Sequence, residues 1–187
     1  ASPAHISSTL LASLDATISR ELAAIPYAGV YVTALGYRVA DVPEPLDGFG
    51  FLSRRNEPIR SLGCLWTSSM FPNTAPPGHV LLRVISGGSV DPTFLDLSDS
   101  EALDVVRRDL RISLGITASP AMVLQRRIRQ AIPQYTLGHC TRLARIQSSL
   151  SAHPGLLLTS SAYQGLSLDD CVRQAETAAS MASALLS

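Results

Sequence analysis

The side chains able to do chemistry in this 187-residue chain are few and scattered. Cys64, Cys140 and Cys171 lie far apart. A thiol becomes a nucleophile only where a cation, a base or a helix start stabilises the thiolate; none of the three has a base in its own stretch, so each reads as a buried structural cysteine. His5, His79, His139 and His153 are equally dispersed, without metal-ligand spacing, and no metal site is expected. Asp169-Asp170 is a carboxylate pair, but it falls at the start of an expected helix, where dipole and capping favour acids without any acid–base role. Neither G-x-G-x-x-G, nor G-x-x-x-x-G-K-[ST], nor a G-x-S-x-G elbow occurs. The residues present therefore carry no phosphate loop and no acyl-transfer nucleophile of their own.

What remains is a site made of surfaces rather than of reactive groups, and the composition allows one. Apolar residues make up 46% of the chain and charged residues 16%, which suits a globular fold with a sizeable core. The formal net charge is zero, so a nucleic-acid partner has no electrostatic support. All fifteen basic residues are arginine. An odd, dispersed set of cysteines argues for a reducing compartment and a cytoplasmic location. No run approaches the roughly 20 apolar residues of a membrane span, and the N-terminus does not read as a signal peptide.

The apolar spacing of Leu10, Leu14, Ile18, Leu22 and Ile25 predicts one amphipathic helix over 9–25, closed by Pro26. Residues 28–39 are rich in Val and Tyr and read as a strand, and 41–50 as a loop punctuated by Pro43, Pro45 and Gly48. From Phe49 to Gly88 three apolar segments, GFGFL, IRSLGCLWTSSMF and HVLLRVISGG, alternate with turn-like RRNEP and PNTAPPG, which predicts an antiparallel meander. Ser98-Asp-Ser-Glu101 is a capping box that opens a helix over 99–114, and Gly115 ends it. Residues 121–132 fit helix or strand; an edge strand is favoured because the meander needs a return partner, with Arg126, Arg127 and Arg129 on a solvated face. A helix over 139–150 aligns Leu143, Ile146 and Leu150. Leu156, Leu157 and Leu158 then read as a short buried strand, and Ser167 with Asp170 as the cap of a last helix. Phe49, Leu52, Leu65, Trp66, Met70 and Ile85 fit either an apolar wall for a flat ligand or an ordinary core.

Five ordered motifs carry a family resemblance: DGFGFL (47–52), LGCLWTSSMFPNTAPPG (62–78), LLRVISGG (81–88), AIPQYTLGH (131–139) and AYQGLSLDDC (162–171). In order and spacing they resemble the C-terminal portion of the protoporphyrinogen oxidases, FAD-dependent flavoproteins of the monoamine-oxidase-like superfamily. The resemblance implies an α+β fold: an antiparallel or mixed substrate-domain sheet with packed helices, plus the last strand and helix of an FAD-binding domain. It divides the chain into a linking helix (1–27), a substrate domain (28–153) and a strand–loop–helix of the FAD domain (154–187). It implies oxidation of protoporphyrinogen IX to protoporphyrin IX by molecular oxygen in heme biosynthesis, with coproporphyrinogen III as the alternative substrate. A non-catalytic tetrapyrrole-binding module and a flavoenzyme of amines or carotenoids are the competing readings.

By the same resemblance Phe49, Leu52, Leu65 and Ile85 line the tetrapyrrole cavity, while Ser161, Ala162, Tyr163, Gly165, Leu166 and Leu168 run beside the FAD. The flavin performs the redox chemistry, so no catalytic side chain is expected. Where the family has Gly-Asn-Ala-Tyr, this chain has Ser160-Ser161-Ala162-Tyr163, and Ser167 and Ala175 stand where many members have glycine. The family's Gly-rich FAD fingerprint, its acidic ribose-binding residue, its propionate-orienting arginine and its membrane-associating segment lie outside these residues. The expectation is a C-terminal piece, inactive alone, whose partners are a tetrapyrrole and an N-terminal FAD-binding segment, with peripheral contact to the inner face of the cell membrane through a segment not included here.

Overall fold

A computed structural model of the chain describes residues 1–186, with side chains to residue 185. It resolves into two compact units, 28–132 and a second formed by 1–27 with 133–187.

The unit 28–132 is a five-stranded sheet with a helix on one face. Its strands are β1 (Tyr27–Arg38), β2 (Gly50–Leu52), β3 (Ser61–Trp66), β4 (His79–Gly87) and β5 (Met122–Pro133), in the spatial order β2-β3-β4-β1-β5. The first four run antiparallel in that order, as the meander pattern predicts, with β1 inserted between β4 and the return strand β5. Alternation decides which side chains enter the core. Tyr31, Leu35 and Tyr37 of β1, Leu82 and Val84 of β4 and Cys64 of β3 turn inward onto Ala102, Val106 and Leu110 of a long helix (Asp99–Leu114). That helix follows its sequence signals to the residue: Ser98 and Glu101 form the reciprocal box, and Gly115 ends it at φ 68°.

Two departures from the strand pattern have visible causes. Thr67–Met70, expected to continue β3, forms one helical turn instead. The Ser68 hydroxyl accepts the Leu81 N–H at 3.0 Å, taking the donor that a continuing strand would have used. In β5, Arg126 and Arg129 are exposed as expected, but Arg127 is half-buried and turned toward the Asp99–Leu114 helix. Its guanidinium donates to the Leu97 carbonyl at 2.7 Å and to Asp99 Oδ1 at 3.0 Å, and covers the Tyr31 ring with its carbon 5.3 Å from the centroid. The strongest polar tie in this unit is the carboxylate of Asp109, only 1% exposed. Its Oδ2 accepts the backbone N–H of Arg60 (2.9 Å) and of Ser61 (2.8 Å) and the Ser61 hydroxyl (2.8 Å), pinning the helix to the start of β3 beside a bulge between Ser61 and Gly63.

With Asp99–Leu114 as α4 and Thr67–Met70 as α3, the other unit is helical: α1 (Ala4–Leu11), α2 (Ala16–Ala23), α5 (His139–Leu150) and α6 (Leu168–Leu186). The single helix expected over 9–25 is two helices. Asp15 breaks it, because its carboxylate accepts the N–H groups of Thr17 and Ile18 and so starts α2 afresh. Leu10 and Leu14 consequently fall outside the stripe and are exposed, while Ile18, Leu22 and Ile25 are buried against Ile146 of α5. Helix α5, grouped by the sequence reading with 28–153, thus packs on the N-terminal helices. A Glu21 carboxylate held by Arg142 and Arg145, and Asp15 bonded to His153 at 3.0 Å, add polar ties to the same packing. Leu156–Leu158, expected as a buried strand, form no strand and pair with none of the five. A strand exists only where another chain segment takes its backbone groups; among the described residues no such segment lies beside them.

Candidate functional site

Leu65 and Ile85 lie on the sheet face opposite α4. Ile85 stands between Leu82/Val84 and Ser86, all turned inward, and is aligned with Val32 on β1 and with Gly63 on β3. Leu65 aligns with Arg83 on β4 and with Gly50 on β2. Leu52, opposite Gly63, follows the same alternation and is 84% exposed. Phe49, 76% exposed, precedes β2, its carbonyl accepting the Trp66 N–H at 2.9 Å. The close approach of β2 to β3 requires glycine at 50: φ is 133°, and a side chain there would collide with the Cys64 carbonyl. The four residues expected to line a cavity therefore sit on or beside one outer face, which Leu81 continues; apart from its arginines the face is apolar and, within this unit, α4 packs on the other side. Trp66 and Met70, also candidate wall residues, are not on it: Trp66 packs toward the α4 core and Met70 ends α3.

The second cluster is the loop 160–168 with the start of α6. Ala162 and Tyr163 are buried in the helical core, and burial pushes the Tyr163 phenol above its usual range. Their backbone N–H groups are taken by Ser160, the hydroxyl receiving Ala162 (2.9 Å) and the carbonyl receiving Tyr163 (3.2 Å). Of the six residues expected beside a cofactor, these two anchor the loop, while Leu166 and Leu168 are exposed and Ser161 and Gly165 are partly so. Gly165 has φ 116°, and a side chain there would strike the Asp170 carboxyl, so only glycine fits. At the helix start the Ser167 hydroxyl receives the Asp170 N–H at 3.0 Å, and Asp170 Oδ2 receives the Ser167 N–H at 3.2 Å. The Ser167 hydroxyl, which also donates to Asp170 Oδ2 at 2.6 Å, holds the Asp170 carboxyl below the usual range, helped by the Ser167 N–H and an ion pair with Arg173. Arg173 also pairs with Asp169 at 2.6 Å. Cys171 N–H returns to the Ser167 carbonyl. The capping box thus leaves the N–H groups of Leu168 and Asp169 as the outward donors, between exposed Leu166 and Leu168.

Two residues of the AIPQYTLGH motif, to which the sequence reading assigned no site role, hold this loop. Tyr135 donates its hydroxyl to the Ser161 carbonyl at 2.7 Å and accepts the Gly165 N–H at 2.9 Å. Its ring stacks on His139 (centroids 4.2 Å apart, planes 11°), and His139 Nε2 lies 3.3 Å from the Tyr163 carbonyl. The motifs AIPQYTLGH and AYQGLSLDDC are therefore one physical unit. The thiols divide: Cys64 is buried, and burial alone pushes it to about 12; Cys171 is half-buried, and Cys140 is exposed because it follows the inward-turned His139 by one residue. The expectation of three buried cysteines holds for Cys64 alone.

Residues 1–182 match the model of a protein family described as flavin containing amine oxidoreductase. The chain belongs to that family. Among curated relatives, a coproporphyrinogen III oxidase of Bacillus subtilis is 34% identical over 148 residues, covering 79% of this chain and 32% of the relative. A chloroplastic protoporphyrinogen oxidase 1 of Arabidopsis thaliana is 36% identical over 187 aligned residues, covering 94% of this chain and 35% of the relative. A solved structure assigned as a protoporphyrinogen oxidase from an Exiguobacterium species superposes with TM-score 0.76 at 26% identity, covering 99% of this chain and 40% of that one. Reduced UDP-galactopyranose mutase, at 15% identity and TM-score 0.61 over 73% of this chain, shares the fold. The chain spans about a third of the length of the curated relatives it matches. The α+β architecture and the resemblance to protoporphyrinogen oxidases stand, and the family's cofactor is a flavin. The loop fits such a group: two free backbone donors flanked by two exposed leucines offer polar contacts at a ring edge and apolar contact at its face. No helix of the described residues is long and apolar enough to cross a membrane.

Proposed function

We propose that this chain supplies the substrate-facing sheet and one wall of the FAD site of a porphyrinogen oxidase that converts protoporphyrinogen IX to protoporphyrin IX with molecular oxygen. The observation that carries the reading is the outer sheet face, where Leu52, Leu65 and Ile85 share one side with Val32 and Leu81 and no helix of the same unit covers them. A nonaromatic macrocycle needs a broad apolar surface more than it needs polar contacts, and such a surface left bare is costly in a monomer. Bound FAD would supply the electron acceptance and the reaction with oxygen. Leu65 and Ile85 hold the macrocycle by contact, and Leu52 of β2 and Phe49 just before it close over its rim. The backbone N–H groups of Leu168 and Asp169 favour negative charge at the edge of the flavin, and Leu166 and Leu168 keep water from its face.

The other wall comes from an N-terminal FAD-binding segment of the same protein. In its support, residues 156–158, which pair with no strand, lie along a groove of about 760 Å³ between α5 and α6, lined by Leu143, Ile146, Leu150, Met181 and Leu185. A segment entering there would fill the groove, and the isolated 187 residues would be inactive. A cytoplasmic location with peripheral membrane contact from outside this chain completes the proposal. Coproporphyrinogen III is the second reading, favoured by the Bacillus subtilis and Staphylococcus aureus relatives, both named coproporphyrinogen III oxidase. The test is the full-length protein: it should release FAD on denaturation and form fluorescent porphyrin from a porphyrinogen under air. Protein without flavin, or flavoprotein that turns over amines and neither porphyrinogen, would overturn the reading.

A further inference from the structure

The sheet is built without a single carboxylate. None of its five strands contains Asp or Glu, while they carry Arg38, Arg83, Arg126, Arg127 and Arg129. Alternation sorts the central ones. Arg127 faces inward, bound to Asp99 and Leu97. Arg83 faces outward: its neighbours Leu82 and Val84 are buried at 0% and 1%, and it aligns with Ala34 on one side and Leu65 on the other. A side chain at Gly36 would stand 3.3 Å from Met122 Cβ, so these two residues oppose each other across β1 and β5. Counting along the antiparallel pair from there, Arg127 opposes Tyr31, in accord with its stacking, and Arg126 opposes Val32 on the outer face. Val32 in turn opposes Ile85. Arg83 and Arg126 therefore flank the apolar patch, two strands and two residues apart, or about 12 Å between Cα atoms from ordinary strand spacing and rise.

Among the described residues neither arginine has an ion pair: the guanidinium partners of carboxylates are Arg60, Arg108, Arg127, Arg142, Arg145 and Arg173. Protection of a sheet edge accounts for a cation on β5, which is an edge strand. It does not account for Arg83, whose strand is flanked by β3 and β1. An unpaired cation amid Leu65, Ile85 and Leu81 suits an anion held at the rim of an apolar ligand, and guanidinium binds carboxylate in a two-pronged fork.

Resting on the porphyrinogen reading above, we propose that Arg83 and Arg126 anchor the propionate carboxylates of the macrocycle and bias the site toward substrates with more of them. The experiment is steady-state kinetics of the full-length flavoprotein with coproporphyrinogen III, which has four carboxylates, and protoporphyrinogen IX, which has two. Replacing both residues, Arg83→Leu with Arg126→Leu, should lower kcat/KM for the four-carboxylate substrate at least tenfold more than for the two-carboxylate one. The loss should lie in KM, and Lys at both positions should restore part of it. Should the double variant lose flavin or fold poorly, wild-type protein and Arg83→Gln decide it by binding of coproporphyrin III against its tetramethyl ester, read by fluorescence quenching. The acid should bind at least tenfold more tightly than the ester to wild type, with a smaller margin in the variant. A substrate ratio or an acid-to-ester ratio unchanged within twofold would overturn the anchors while leaving the oxidase reading intact. Failure of wild type to turn over or bind any porphyrin would overturn that reading and the anchors with it.

Discussion

Replacing Tyr135 by Phe removes one oxygen and two hydrogen bonds from the loop that the flavin reading depends on. The hydroxyl donates to the Ser161 carbonyl and accepts from the Gly165 N–H, and nothing else in the described residues crosses between those two points of the loop. The ring, stacked on His139, stays in place. Each neutral bond contributes about 0.5–1.5 kcal/mol net, and with Tyr135 at 41% exposure water replaces part of the loss, so the pair sums to about 1–2 kcal/mol. If the loop holds its binding geometry only through this bridge, the same energy appears in cofactor affinity as roughly a five- to thirtyfold rise in the FAD dissociation constant. Equilibrium dialysis of full-length protein stripped of flavin measures it, and a urea transition of the same variant measures stability. A destabilisation of the expected size with an FAD constant unchanged within twofold would show that the loop is braced but does not face the flavin.

Asp109→Ala should cost about 3–5 kcal/mol in urea unfolding, because it strands the N–H groups of Arg60 and Ser61 and the Ser61 hydroxyl inside the sheet–helix core; a loss below about 1 kcal/mol would contradict the burial. At pH 8, Cys140 should react with iodoacetamide and Cys64 should not until the protein unfolds, as burial raises the Cys64 thiol to about 12; peptide mass spectrometry reads both. Asp15, Asp91, Glu101 and Asp170 all lie below the usual carboxylate range because hydrogen bonds favour their charged forms. A depressed folded value means stability that is present above about pH 4, where the unfolded carboxylates ionise, and lost as pH falls through the folded values. Urea midpoints should therefore be flat from pH 7 to 5 and drop below 4, and Asp15→Asn should shrink that drop.

What could be read in advance follows from how local each determinant is. The 99–114 helix was legible to the residue because both its ends are written in adjacent residues, Ser98 with Glu101 and the left-handed Gly115. The 9–25 helix was misread for the same kind of reason: Leu10 and Leu14 continue the spacing of Ile18 and Leu22 by coincidence, and the carboxylate of Asp15, a local cap, overrides periodicity. Leu156–Leu158 have strand composition but no partner, and composition cannot supply one. At the site, Leu65 and Ile85 were expected from the family motifs, yet that they share one face with Arg83 and Arg126 required the register, which sequence spacing across five strands does not contain. The hold of Tyr135 on the 161–165 loop spans 26 to 30 residues and was invisible for that reason. The absence of acids from every strand was visible in the sequence, and it is the signal that points to the outer face.

The central claim is that the outer face of the sheet is where the tetrapyrrole lies. Leu65→Glu puts a carboxylate in the middle of that face, away from the α4 core and in the unit that does not contain the 160–168 loop. Porphyrin formation by full-length protein carrying this change, compared with wild type at equal flavin content, measures the claim directly. FAD binding should be unchanged and kcat/KM for porphyrinogen should fall at least a hundredfold. Turnover within threefold of wild type would contradict it.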